Sequence, residues 1–130
     1  MKKSLLFILI CVFVSFVSAQ DVAKSDDEET IVFAEKAHDF GVISSSDGMA
    51  VYEFTLKNTG KEPLLISRVT ASCGCTTPDW TKQPIEPGKK GSIKVSFNPN
   101  GQSGAFSKTV TVYSNANPMQ VRLIIKGTVD

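Results

Sequence analysis

The chain is poor in the residues that usually carry chemistry. Its 130 residues include one histidine, one tryptophan and three cysteines. One histidine, His38, among scattered serines gives no Ser–His–acid pattern. A closed zinc site needs four ligands, and Cys73, Cys75 and His38 leave a monomer short of a soft fourth. No phosphate-cradling glycine loop, zinc-protease helix or calcium loop is present. No carboxylate pair stands out, since nothing in the sequence places Asp39 beside Asp79. Basic runs are missing too, which argues against a nucleic-acid partner. Beyond the N-terminal segment no stretch of useful length has helical periodicity. These absences lower the expectation of an enzyme.

The first residues read as a targeting segment. Lys2 and Lys3 precede an apolar stretch from Leu5 to Val17, and Val17-Ser18-Ala19 is a small-residue cleavage pattern. Residues 1–19 therefore read as a secretory signal peptide. They are short for a membrane anchor, which needs about 20 apolar residues, so no transmembrane segment is expected in the mature chain. Cys11 follows the bulky Ile10 and is assigned to the removed peptide. Loss of Lys2 and Lys3 moves the formal charge from +1 to −1. Residues 20–30 hold five acids and one lysine, and read as an acidic flexible tether. Residues 31–130 are left to form one domain, a size that closes a core without staples. The expected location is periplasmic or extracellular, an oxidising environment.

Alternation of apolar and polar residues dominates the domain. Ile31-Val32-Phe33 opens a strand continuing toward His38-Asp39-Phe40-Gly41. Met49 to Asn58 alternates with Tyr52, Phe54 and Leu56 on one face. Leu64 to Ala71 changes parity, which predicts a bulge near Ser67-Arg68. Residues 72–89, with Pro78, Pro84 and Pro87, read as a long connection ending in a type II turn at Glu86-Pro87-Gly88-Lys89. Ser92–Phe97, Ala105–Tyr113 and Met119–Val129 alternate again. The expected fold is an all-β, immunoglobulin-like antiparallel sandwich of about seven strands. Its expected core includes Tyr52, Phe54, Leu56, Ile66, Ile93, Val95, Phe97, Phe106, Val110, Leu123 and Ile125.

The sharpest motif is Cys73-Gly74-Cys75. Gly74 permits a bend that brings two Cα atoms within bridging range. Three readings stay open: a structural turn element, a redox-labile dithiol, or a Cu(I) site helped by His38. His38 itself reads first as a packed or capping residue. Trp80 is either a lid over the sandwich end or an exposed anchor for a partner.

These blocks resemble a family. His38-Asp39-Phe40-Gly41-Val42-Ile43 matches its opening motif, and Phe54 to Gly60 with Pro63-Leu64-Leu65-Ile66 its second block. Ser72-Cys73-Gly74-Cys75-Thr76 with Pro78 and Trp80 is its signature. Pro84 to Gly88, Gly91, Ser114-Asn115 and Ile125-Lys126-Gly127 follow in order. The chain is similar, over about residues 31–129, to Domain of Unknown Function 1573. The resemblance implies an immunoglobulin-like domain of the Hydin and major-sperm-protein type, whose relatives are mostly interaction modules. It carries no catalytic residue. The expected function is an exported, non-catalytic binding or assembly module. Its partner would be a protein or a cell-envelope component, recognised through end loops, through Cys73, Gly74, Cys75 and Trp80, or through an edge strand. The competing expectation is a redox or copper-handling protein built on the two cysteines.

Overall fold

The computed structural model describes residues 28–130. The expected signal peptide, Cys11 and residues 20–27 of the expected tether lie outside the described residues. The elements are β1 (Ile31–Phe33), β2 (Ala37–Ile43), β3 (Ala50–Asn58), β4 (Ile66–Ala71), β5 (Thr76–Trp80), β6 (Lys90–Phe97), β7 (Gly104–Ser114) and β8 (Gln120–Val129). They form two four-stranded sheets, ordered β1-β3-β6-β5 and β2-β8-β7-β4. The fold is an all-β sandwich of immunoglobulin-like type.

Alternation explains the layers. Along β3 the buried Phe54, Leu56 and Asn58 interleave with exposed Glu53, Thr55 and Lys57. Along β6 the buried Ile93, Val95 and Phe97 do the same, and along β8 Val121, Leu123 and Ile125. Facing residues meet between the sheets, with Ile93, Val95, Phe97, Val110, Leu123 and Ile125 wholly inaccessible to solvent. Of the expected core, Tyr52 and Phe106 are only half-buried and pack against its margin.

Three expectations need correction. The stretch from Ile31 to Gly41 is two strands, not one. The chain leaves the first sheet after Phe33 and joins the second at Ala37, so the inward residues of β1 and β2 serve different sheets. The sandwich is not wholly antiparallel, because β2 runs parallel to β8. Residues 72–89 also contain a strand, β5, which raises the total to eight. Pro78 hid it, since proline is confined to edge strands, and β5 is an edge strand. The bulge near Ser67-Arg68 is present as a register shift between Ile66 and Arg68.

A second bulge lies in β2, where the register against β8 shifts between Asp39 and Val42. Gly41 takes a φ of 70° there, a left-handed conformation that glycine adopts without Cβ strain. Its amide donates to Asp39 Oδ1 at 2.8 Å. A Cβ on Gly127 would sit 2.8 Å from the Gly41 carbonyl oxygen. The two glycines thus occupy facing sites of one close approach.

The sandwich has two dissimilar ends. At the proximal end the chain comes in through Glu28–Thr30 and the turns 59–65, 81–89 and 115–119 gather. Here Asn58, 1 % exposed, holds the turns together. Its Nδ2 donates to the Glu62 and Ile85 carbonyls at 2.7 and 2.8 Å. Its Oδ1 accepts from Gly60 N at 2.9 Å. Asn115 bridges similarly, accepting from Leu65 N and donating to Pro63 O. The expected tether ends earlier than Thr30: Thr30 N donates to Asn117 O, Asn117 N to Thr30 Oγ1, Thr59 Oγ1 to Glu29 O and Asn117 Nδ2 to Glu28 O. At the distal end lie the loops 44–49, 72–75 and 98–103.

Asn58→Ala removes three side-chain hydrogen bonds, strands the Glu62 carbonyl and the Gly60 amide, and leaves the Ile85 carbonyl with Leu64 N alone. It is expected to lower unfolding free energy by about 2–3 kcal/mol in urea denaturation, because orphaned buried groups cost more than an average bond returns. Asn100→Ala on an exposed distal loop is the comparison, expected to stay within about 0.5 kcal/mol.

Candidate functional site

The cysteine motif marks the place where the chain crosses between sheets on one side of the sandwich. After β4, Ser72 N donates to Thr109 O at 2.9 Å, and Thr109 N donates to Ser72 Oγ at 3.1 Å. The chain then turns, and Asn98 N donates to Cys75 O at 2.8 Å. Cys73 and Cys75 are joined as a disulfide with Cα atoms 5.4 Å apart, inside the range that bridges use. Cys75 N donates to Cys73 Sγ at 3.3 Å. The buried Thr76 sets its Oγ1 3.8 Å from Cys73 Sγ and 3.9 Å from Cys75 Sγ. Both cysteines are half-buried, and Gly74 between them is exposed.

Beyond the turn, β5 presents an edge whose outward N–H groups are spent. Asn98 N bonds Cys75 O and Thr81 N bonds Ser92 O. In an antiparallel ladder this alternation turns Thr77 and Asp79 toward β6 as well, and leaves Thr76, Pro78 and Trp80 facing outward. Thr76 N donates to Cys73 O at 3.3 Å. Pro78 has no N–H. Trp80 N donates to Asp79 Oδ1 at 2.9 Å. An added strand would find carbonyls there and no free donor. Trp80 is neither the lid nor the fully exposed anchor that its sequence position allowed. It is half-buried against the core from the sandwich's side, with Lys82 Nζ 2.9 Å from its ring centroid.

His38 lies on the other side. Its ladder partner is Ile125 on β8, which in turn faces Lys108 on β7, and Ala71 at the end of β4 faces Val110. His38 and the cysteine turn are thus separated by three strand spacings, about 14 Å at ~4.8 Å each. The expected Cu(I) set of Cys73, Cys75 and His38 is not assembled. Two disulfide sulfurs are not thiolates, and the imidazole is across the sheet. His38 instead stacks on Tyr52, with centroids 3.7 Å apart and an interplanar angle of 6°. Phe40 meets it edge-on at 4.7 Å, and Phe54 meets Tyr52 edge-on at 4.8 Å. These rings close the seam between β2 and β3. Tyr52 Oη donates to Glu35 Oε2 at 2.6 Å.

The distal loops are bonded mostly within themselves. Ser44 N donates to Asp47 Oδ2 at 2.9 Å, Asn100 N to Asn98 Oδ1 at 3.0 Å and Gln102 N to Pro99 O at 3.0 Å. Met49 in loop 44–49, and Val42 and Val51 on the strands that flank it, are 50 %, 73 % and 47 % exposed. Sequence reading passed over these three because alternation places them on solvent faces, where single apolar residues are ordinary. The proximal end also exposes Leu65 and Met119. A cleft of about 250 Å³ there is lined by Asn58, Asn115 and Asn117, whose amides are engaged inside the fold.

The chain belongs to the family described as protein of unknown function (DUF1573), whose profile matches residues 31–129. No curated protein matches the sequence. Among solved structures it is similar to a protein of unknown function from Porphyromonas gingivalis W83, with TM-score 0.66 and 18 % identity over 77 % of this chain and 46 % of that one. It is also similar to the ASH / PapD-like domain 7 of human CEP192, with TM-score 0.64 and 9 % identity over 80 % and 87 %. The YadV chaperone follows with TM-score 0.56 and 15 % identity over 78 % and 52 %. The chain spans less than half the length of the Porphyromonas gingivalis protein. At these identities the likeness is one of fold, and the sandwich is PapD-like.

Glu35 makes one part of this structure pH-dependent. Its hydrogen bond, then burial, then its charge raise the Tyr52 phenol above the ordinary 10.0. A folded pKa above the unfolded one gives stability fully present below pH 10 and lost as pH rises through the folded pKa. The denaturation midpoint of the native sequence is therefore expected to fall more steeply above pH 10 than that of Tyr52→Phe. Equal slopes in urea titrations at pH 9 and 11 would contradict the coupling.

Proposed function

We propose that the protein is an exported, non-catalytic binding or assembly module that recognises a protein or another cell-envelope component through the distal end of its sandwich. The observation carrying this reading is that Val42 near the end of β2, Met49 in the following loop and Val51 at the start of β3 are all exposed at the distal end. Val42 and Val51 stand on the outer faces of the two sheets at either side of the loop, so a partner seated over the distal end could meet both, and loops on a rigid frame often carry recognition. The described chain comes in at the opposite end through Glu28–Thr30, which leaves the distal loops uncovered by that segment. The outward donors of β5 are occupied, which favours loop recognition over strand addition at that edge. One structural neighbour, YadV, is named a chaperone. That use of the fold is in keeping with the reading, as analogy only. The Lys2-Lys3 n-region, apolar stretch and Val17-Ser18-Ala19 pattern support export to the periplasm or beyond.

The test compares the two ends. Val42→Asp with Val51→Lys alters the distal surface, and Leu65→Glu with Met119→Lys alters the proximal one. Photocrosslinking and co-purification from native envelope fractions identify a partner for the unmodified protein. The distal pair is expected to weaken its binding at least about tenfold, as loss of a central apolar contact does, while circular dichroism stays unchanged. The proximal pair is expected to bind as before. Loss from the proximal pair alone sinks the distal assignment, and full binding by both pairs sinks the recognition reading for either end.

A further inference from the structure

We propose that the Cys73–Cys75 bridge is a thiol–disulfide exchange site of fixed polarity. An incoming thiolate attacks Sγ of Cys75, and Sγ of Cys73 is the leaving group. This does not rest on the recognition reading and concerns different atoms.

Ring size is the first ground. The bridge spans a sequence separation of two. A bridge that closes so short a loop at a partly exposed turn belongs to the labile kind, more oxidising and more easily exchanged than a buried long-loop bridge. The second ground is access. The exposed Gly74 lies between the sulfur-bearing residues, and a Cβ built on it would meet nothing within 4 Å. Cys75 is half-buried and packs against the core, so a small thiol would reach its sulfur from the open Gly74 side.

Polarity comes from unequal surroundings. Thr76 Oγ1 is at 3.8 Å from one sulfur and 3.9 Å from the other, so it does not discriminate. The Cys75 N–H does, because it points at Cys73 Sγ from 3.3 Å. A donor aimed at one sulfur stabilises the thiolate formed there, and the better-stabilised thiolate leaves faster. The β4–β7 ladder adds a charge. Ala71 faces Val110, and Ser72 and Thr109 are hydrogen-bonded. Beyond the last strand pair, the Ser72–Thr109 bonds bring the bend at Cys73 to the level of Lys108. Lys108 is half-buried, on the face of β7 that carries Phe106 and Val110. Among the described residues, the ion pair formed is Lys82 with Asp79, which leaves the Lys108 ammonium uncompensated.

The electron balance is that of ordinary exchange. The first thiolate forms a bond to Cys75 Sγ as the Cys73–Cys75 bond breaks, and the electron pair departs on Cys73. A second thiolate attacks the thiol-derived sulfur of the mixed disulfide and releases Cys75 as thiolate. Two small thiols become one disulfide, the bridge gains two electrons, and both cysteines take protons from solvent. The substrate class is a low-molecular-weight thiol and, in reverse, its disulfide.

The experiment uses the purified protein with reduced and oxidised glutathione as probe. Alkylation and intact mass report the redox state, and acid-quenched peptide mapping reports the glutathionylated cysteine. The bridge is expected to be half-reduced in a buffer where a long-loop structural disulfide stays oxidised, with the circular dichroism of the sandwich retained. Early mixed disulfide is expected on Cys75 at least about fivefold over Cys73, and Lys108→Met is expected to slow its formation about threefold. A bridge that resists a large excess of reduced glutathione overturns the exchange site. Equal labelling, or labelling mainly on Cys73, overturns the polarity, and an unchanged rate in Lys108→Met overturns the role of that lysine. Val42→Asp with Val51→Lys is expected to exchange normally, which separates this outcome from the partner test.

Discussion

The carboxamide of Asn58 is the interaction on which the arrangement of the proximal end depends. A buried amide in a sandwich is costly unless its donors and acceptor are all met, and here they are met from two turns, by Gly60 and Glu62 in one and by Ile85 in the other. Its main chain adds two bonds, to Lys89 O and from Gly88 N. One side chain therefore fixes the end of β3, the turn into Leu64 and the turn that starts β6. An apolar residue of the same volume would fill the space but leave the Glu62 carbonyl and the Gly60 amide unanswered, and the Ile85 carbonyl with Leu64 N alone. The consequence reaches the far side of the molecule. With one end determined by internal bonds, the strands deliver the distal loops in a fixed relative position, although those loops bond mainly to themselves.

The two sides of the sandwich solve a shared problem by different means. Each has a sheet-to-sheet crossing beside two edge strands. On the β1–β2 side the seam is filled by stacked and edge-on rings, His38, Phe40, Tyr52 and Phe54. On the β4–β5 side it is filled by Trp80 and a covalent bridge. The edges themselves are blunted in the ways that limit strand-to-strand association. β1 has three residues, β2 and β4 carry bulges, and β5 has its outward amides occupied or replaced by proline.

Most of the layer pattern was legible in the sequence because burial of one face imposes a period of two. Phe54 with Leu56, Ile93 with Val95 and Leu123 with Ile125 need no further information. What was not legible depends on partners distant in the chain. The break at Ala34-Glu35-Lys36 interrupts neither composition nor alternation strongly, so two strands read as one. The parallel pairing of β2 with β8 is set by the crossing after β1, a choice of sheet that local pattern does not express. Asn58 ends an alternating stretch, where asparagine is an ordinary residue of the coming turn, and only the return of Ile85 reveals its second role. The cysteine turn was legible as a motif but not in its surroundings. Thr76, Pro78 and Trp80 alternate with Thr77 and Asp79, and that spacing was the available signal for β5.

The disulfide is small as a stabilising device, and this bears on why it sits where it does. Closing a loop of about three residues removes only about 1.6 kcal/mol of chain entropy from the unfolded state, before ring strain is subtracted. The sandwich core of eighteen buried apolar residues does not need that contribution. The local consequence of the ring is larger than its global one. It holds the Cys73 carbonyl where Thr76 N reaches it at 3.3 Å, and so keeps one of the β5 edge donors occupied. It also holds Cys75 where its carbonyl receives Asn98, at the start of the 98–103 loop. A change in the state of this bridge would thus act first on an edge strand, a distal loop and the margin of the core that Cys75 covers. Reactivity confined to such a place leaves the frame intact while altering the surface a partner would meet.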